Sequence, residues 1–234
     1  MKKIAFLILL LSFSFGFAQN EALFNRATEL YNDAEYAAAI DNYKQILDNG
    51  QHSASLYFNL GNCYYKLNAI GPSIYYYEKA LLLSPNNEEI RNNLAFAQNM
   101  RLDAIEEMPK TEMSRIYNSV IGMFTSDQWS YLAIALVFLF VLAYMAYYFL
   151  KPANQKRAAF ISSMLSLVLC LVCILLAYLN HQQNKNDDPA IIFAKEVNVN
   201  AEPNVNSSTA FTLHEGTKVN VLDELDEWRR IRIA

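Results

Sequence analysis

Between residues 23 and 81 the apolar positions recur with an offset of 34 residues. Leu23-Phe24-Asn25 returns as Tyr57-Phe58-Asn59. Ala27 returns as Gly61, Tyr31 as Tyr65, Ile40 as Ile74, Tyr43 as Tyr77 and Leu47 as Leu81. A period of that length predicts stacked helix–turn–helix units, none of which buries its apolar face alone. Further on, Met113, Ile116, Tyr117, Val120, Ile121 and Phe124 stand at helical spacing, with Ser114, Arg115, Asn118 and Ser119 on the other face. They predict an amphipathic helix over 112–126. Two uncharged apolar runs follow, 129–150 and 158–179. As helices each would be roughly 33 Å long, enough to cross a bilayer. Ser126 and Asp127 read as the N-cap of the first. Beyond a polar linker at 181–189 the period changes to two: Val197-Asn198-Val199, then Val219-Asn220-Val221, then Trp228, Ile231 and Ile233. The predicted fold is mainly α, a helical solenoid plus a two-helix transmembrane hairpin, with a small all-β segment at 190–234.

The repeat region, 20–104, resembles the tetratricopeptide repeat family. In the second unit Tyr57, Leu60, Gly61, Tyr64, Tyr77, Ala80 and Pro85 stand at that family's signature positions, with Ser73 in place of an alanine. Gly61 and Ser73 are expected to let the two helices cross closely, and Pro85 to end the second. The first unit departs at Arg26, where leucine is common, and at Gln51, where proline is common. Leu94 and Ala95 keep the register in a third half-unit, and 88–104 reads as a capping helix with a polar outer face. Cys63 reads as a small apolar filler. The resemblance implies a surface that binds other chains. It places Asn25, Asn59 and Asn93 on the concave face, where amides can hold the backbone of an extended peptide. Asn62, Tyr31, Tyr65 and Lys66 would line the same groove. The plainer alternative is that asparagine is simply common at this position of the repeat.

At the N-terminus, Lys2 and Lys3 precede a short apolar stretch at 4–15, and Gly16 and Ala18 precede Gln19. This reads as a signal peptide, 1–18, followed by no lipid-bearing cysteine. The loop between the apolar runs carries Lys151, Lys156 and Arg157, which the positive-inside rule assigns to the cytoplasm. Both flanks then face outward, into the periplasm of a bacterium with an inner membrane. The second run bears a stripe of small residues, Ala159, Ser163, Ser166, Cys170, Cys173 and Ala177. Such a stripe permits close approach of a neighbouring helix. Cys170 and Cys173 form a CxxC pair, but with no histidine or acid beside them they read as part of that seam rather than as a redox site. The 112–126 helix has two readings: it rests at the bilayer surface, or it packs on the end of the solenoid.

The C-terminal segment resembles a bacterial SH3 domain. Val197-Asn198-Val199 leads into the polar loop Glu202-Pro203-Asn204. Leu213-His214-Glu215-Gly216 forms a turn, and Trp228 marks a tryptophan strand. The family's Gly-Trp closing strand does not follow, so an incomplete, truncated barrel with an open edge is expected. The resemblance implies binding of peptides or of peptidoglycan; the alternative is a spacer without a ligand.

Composition narrows the function. The chain is 53% hydrophobic with a net charge of −4 and no basic cluster, which argues against a nucleic-acid partner. His52, His181 and His214 are far apart, and no phosphate loop, nucleophile elbow or HExxH motif occurs. Neither a cofactor nor an enzymatic reaction is expected. The order of parts is similar to that of the tetratricopeptide member of the Bacteroides aerotolerance operon proteins, the BatE-like family. That likeness implies an inner-membrane protein beside von Willebrand factor A-type membrane proteins and a MoxR-type ATPase. The leading expectation is a membrane-held periplasmic scaffold. A peptidoglycan tether is the second, and a membrane thiol redox protein the third.

Overall fold

The computed structural model describes residues 19–103, 111–186 and 189–233. The signal-peptide assignment, 1–18, lies outside them. Two compact units result, one built from the regions before 106 and after 189, the other from 107–188 between them.

In the first unit, helix α1 runs through 19–32, followed by α2 (Tyr36–Asp48), α3 (Ala54–Lys66), α4 (Ile70–Leu83) and α5 (Glu88–Gln98). The 34-residue period shows in the turns as well. Ala34 and Asn68, one period apart, both take left-handed backbone, φ 62° and 58°, and reverse the chain inside each helix pair. Ser53 and Asn87 cap α3 and α5 by accepting hydrogen bonds from Leu56 N–H and Ile90 N–H. Two apolar cores form in series. Ala27, Ala39, Tyr43, Leu56 and Leu60 fill the first; Tyr57, Ile74, Tyr77, Ala80, Ile90 and Leu94 fill the second.

The close crossing expected at Gly61 is there. A Cβ on Gly61 would fall 2.6 Å from the Tyr77 ring, and Ser73 Oγ donates to the Gly61 carbonyl at 2.9 Å. Cys63 is fully buried, which pushes its thiol up to about 12. Helix α5 is shorter than expected and ends at Gln98, where the Asn99 N–H bonds back to Ala95 O and the Met100 N–H to Ala97 O. Its exposed surface is not wholly polar either: Phe96 is exposed beside Glu88, Glu89 and Arg91.

The β segment starts one residue before the expected boundary. β1 (Pro189–Ile191), β4 (Lys218–Leu225) and β5 (Trp228–Ile233) form an antiparallel sheet in the order β1-β4-β5. β2 (Glu196–Asn200) and β3 (Thr209–His214) form a hairpin. Its own core is little more than Leu213, Thr217 and Val219, too small to stabilise so short a chain alone. Cover comes from the solenoid. Ile191 joins the second helical core, and Gly216, at φ +86°, brings its backbone against Ile70 and Ile74 of α4. Glu215 accepts from the Gly71 N–H at 2.9 Å, Lys218 meets Glu78 at 2.9 Å, and Phe193 sets its edge against Tyr75.

Asp103 ties the arrangement together. Its carboxylate accepts from the His214 amide at 2.7 Å and from Thr217 Oγ1 at 2.5 Å, and meets His214 Nδ1 at 2.7 Å. Burial raises the Asp103 carboxyl, but hydrogen bonds from Thr217 and from the His214 amide and ring outweigh it and hold the group below its ordinary range. A folded-state pKa below the unfolded one gives stability that is present at higher pH and lost as pH falls through the folded value. Docking of the β segment is therefore expected to weaken below the free-carboxyl value of 3.8. In Asp103→Asn that acid step should disappear. Amide hydrogen exchange in β3 and β4 against pH checks this; an acid step that persists in Asp103→Asn assigns it elsewhere.

The second unit holds α6 (Glu112–Ile121), α7 (Ser126–Phe149) and α8 (Ala153–Asn186). The first of these stops at Ile121 rather than 126, with Gly122 as its C-cap. The next begins earlier than expected, and its N-cap is Thr125, not Ser126 or Asp127. Thr125 and Gln128 exchange side-chain and backbone hydrogen bonds in a capping box. α8 is longer at both ends. Proline tolerates the very start of a helix because its missing N–H would be unbonded there, so α8 starts right after Pro152 and takes up Lys156 and Arg157. The basic loop shrinks to 150–152. At the far end the expected linker is helical through Asn186, since Gln182 and Gln183 are good helix formers.

Both α7 and α8 are long and apolar enough to cross a membrane. The small-residue stripe forms their seam. Ser163, Ser166, Cys170 and Cys173 are buried, Ser166 Oγ donates to Leu136 O at 2.8 Å, and Cys170 Sγ to Ala133 O at 3.5 Å.

Candidate binding groove

A cavity of about 320 Å³ is lined by Tyr31, Asn62, Tyr65, Lys66, Tyr77, Glu89, Asn93 and Phe96. Five of the seven residues expected at a peptide groove meet here: Tyr31, Asn62, Tyr65, Lys66 and Asn93. Asn25 and Asn59 are not among its walls.

A repeated hydrogen-bond cluster explains the split. In the second repeat the buried Tyr77 donates its hydroxyl to Asn62 Oδ1 at 2.6 Å. Asn93, on the next helix, donates its amide to the same oxygen at 3.0 Å. One period earlier, Tyr43 bonds Thr28 Oγ1 at 3.0 Å, with the Asn59 side chain near its hydroxyl. Phe24 and Phe58 set their rings against these two tyrosines, at 5.4 and 5.9 Å. The asparagine ladder thus first joins one repeat to the one before it. Asn25 stands on α1, before any such tyrosine among the described residues.

In the first cluster Thr28 spends its one donor on Phe24 O, so it offers nothing like the second N–H of an amide. The second cluster differs. Burial raises the Tyr77 hydroxyl above its ordinary range, against the hydrogen bonds of Ser73 and Asn93, so it stays a neutral donor. Its donation fixes the orientation of the Asn62 amide. With Asn62 Oδ1 already accepting two bonds, Asn62 Nδ2 and Asn93 Oδ1 are left without an internal partner among the described residues. One donor and one acceptor side by side match the C=O and N–H of a peptide unit. Lys66 and Glu89 add opposite charges, and Tyr65 and Phe96 add aromatic surface.

Residues 54–87 match the family model of the tetratricopeptide repeat. The match spans α3, α4 and the turn after them. Tetratricopeptide domains generally bind protein partners, and α1 with α2 repeats the same packing one period earlier. No curated protein matches the chain.

Other candidates fare differently. Cys170 and Cys173 lie in the α7–α8 seam. His52 bonds the Tyr57 hydroxyl at 2.7 Å, and His214 belongs to the Asp103 cluster. Among the described residues no group of three His, Cys, Asp or Glu could hold a metal ion. Tyr77, Glu89 and Phe96 are walls that the sequence analysis did not include, and Thr28 is the unexpected counterpart of Asn62. The 34-residue offset, applied to position 28, was the available signal.

Proposed function

We propose that this chain is a non-enzymatic, membrane-anchored scaffold that holds an extended segment of a partner protein in the groove of its tetratricopeptide repeats. The observation that carries the reading is the unpartnered Asn62 Nδ2 and Asn93 Oδ1, oriented by a buried tyrosine and flanked by Lys66, Glu89 and Phe96. The anchor is the hairpin of α7 and α8, which we read as two spans. Contact between Asp103 and His214 agrees with this: flanks that touch must lie on one side, and two crossings return the chain to its starting side. The basic residues between the spans favour a cytoplasmic loop and outward, periplasmic flanks. Likeness of architecture to the BatE-like proteins makes von Willebrand factor A-type membrane proteins and a MoxR-type system the first partners to look for, in an aerotolerance-type complex.

The test is crosslinking and affinity purification from native membranes, wild type against Asn62→Ala/Asn93→Ala. Each substitution removes about 1–3 kcal/mol from a bound peptide unit whose polar groups lose their partners. Partner recovery is expected to fall at least tenfold in the double variant. Undiminished recovery rules the groove out.

A further inference from the structure

We propose that α6 is a membrane-surface helix whose apolar stripe lies in the outer leaflet, joined rigidly to the ends of both spans. The proposal rests on reading α7 and α8 as spans, and it goes beyond the groove. Successive residues turn by about 100° on a helix, which divides α6 into three sides. Ser114, Asn118 and Ile121 form one; it is turned to α8, where Gln183 donates to Asn118 Oδ1 at 3.4 Å. Met113, Ile116, Tyr117 and Val120 form a second, about a third of a turn round, and Met113 and Ile116 keep 77% and 61% of their exposure. Glu112, Arg115 and Ser119 form the polar third side, with Arg115 paired to Glu112.

The level of the helix is set by its C-terminus. The Ile121 carbonyl, which would otherwise be an unbonded helix end, accepts from Trp129 Nε1 at 3.3 Å and from Asn180 Nδ2 at 3.1 Å. On α7 the boundary between polar and apolar residues falls at Gln128/Trp129. On α8 it falls at Leu179/Asn180. Both boundaries converge on Ile121, so the C-terminal end of α6 joins the hairpin at the depth where lipid headgroups begin. Phe124 sets its ring edge-on to Trp129 at 4.9 Å and continues the apolar stripe into the surface of α7. That continuity selects lipid as the occupant. An apolar face opposite a charged one, at the interface depth, is the form of a helix lying in the headgroup layer.

The test is nitroxide scanning of the full chain in phosphatidylethanolamine–phosphatidylglycerol vesicles, with labels at 113, 116 and 120, at 115 and 119, and at the exposed mid-span position Phe138. The three native cysteines are buried, and the wild type sets the labelling background. Collision with oxygen and with a water-soluble nickel complex is read at each site. Labels at 113, 116 and 120 are expected to meet oxygen freely and nickel several-fold less than labels at 115 and 119. Nickel access at 116 equal to that at 115 overturns the proposal. So does exclusion of both reagents from 113, 116 and 120, since protein rather than lipid then covers the stripe. Nickel access at Phe138 overturns the membrane reading itself, and this control separates the two failures.

Discussion

Tyr77→Ala is expected to unfold the α3–α4 repeat and carry groove binding away with it. The ring is buried to 1% exposure between Gly61 and Phe58, in the second core. Truncating a buried aromatic residue costs about 3–5 kcal/mol, and helices this closely crossed can collapse only partly into the space. Loss of the hydroxyl adds to this by freeing the Asn62 and Asn93 amides. Tyr77→Phe separates the two effects. It keeps the ring, so the stability loss should be about 1 kcal/mol. Partner binding should fall further than that, because Asn62 is no longer held in one orientation. Chemical denaturation followed by α3 and α4 amide exchange, beside partner capture, reads both. A wild-type denaturation midpoint in Tyr77→Ala would remove Tyr77 from the core; wild-type capture in Tyr77→Phe would remove its hydroxyl from recognition.

Gly216→Val is expected to release the β segment from the solenoid while leaving the repeats folded. At φ +86° a branched side chain sits in left-handed backbone at about 1–2 kcal/mol. Its Cβ would also lie 3.0–3.2 Å from Arg101, Ile74 and Ile70, before its two methyl groups are counted. Overpacking of that kind adds about 1–3 kcal/mol. Because Thr217 and His214 flank the position, the Asp103 cluster should open with it. Limited proteolysis and amide exchange across 189–233 should show loss of protection there, with α2 and α3 unchanged. Protection retained across β3 and β4 would mean that the backbone at 216 can move without undocking the sheet.

Much of the architecture is legible in the sequence. Helix pairs follow from the 34-residue period, the hairpin from two uncharged runs, the seam from small residues three and four apart, and the strands from alternation. These signals are local, since each element's apolar face is written in its own spacing. Element ends were less legible. The Thr125–Gln128 capping box moved the start of α7, and α8 began right after Pro152 and took Lys156 and Arg157 out of the loop, because hydrogen bonds at a helix end depend on one or two side chains.

The groove lay in between. Five of its residues were readable from family resemblance and spacing, yet the separate fates of Asn59 and Asn93 were not. Both stand at the same repeat position, and what distinguishes them is whether Thr28 or Asn62 faces the tyrosine one helix away. Nothing within either helix carries that information.

Repeat length, the number of helices, the faces they bury and the two long apolar segments are set by the order of residues along the chain. They depend on periodicity and length, which any one segment carries in itself. Tertiary structure alone decided three further things. It docked an undersized β segment on α4, tied Asp103 to His214 across 111 residues, and left one amide donor and one acceptor facing the groove. Those outcomes depend on which surfaces meet across long separations. A hydrophobic pattern shows that a face must be covered, but not by what, and a polar side chain becomes a site only once its neighbours have used some of its hydrogen bonds and left the rest.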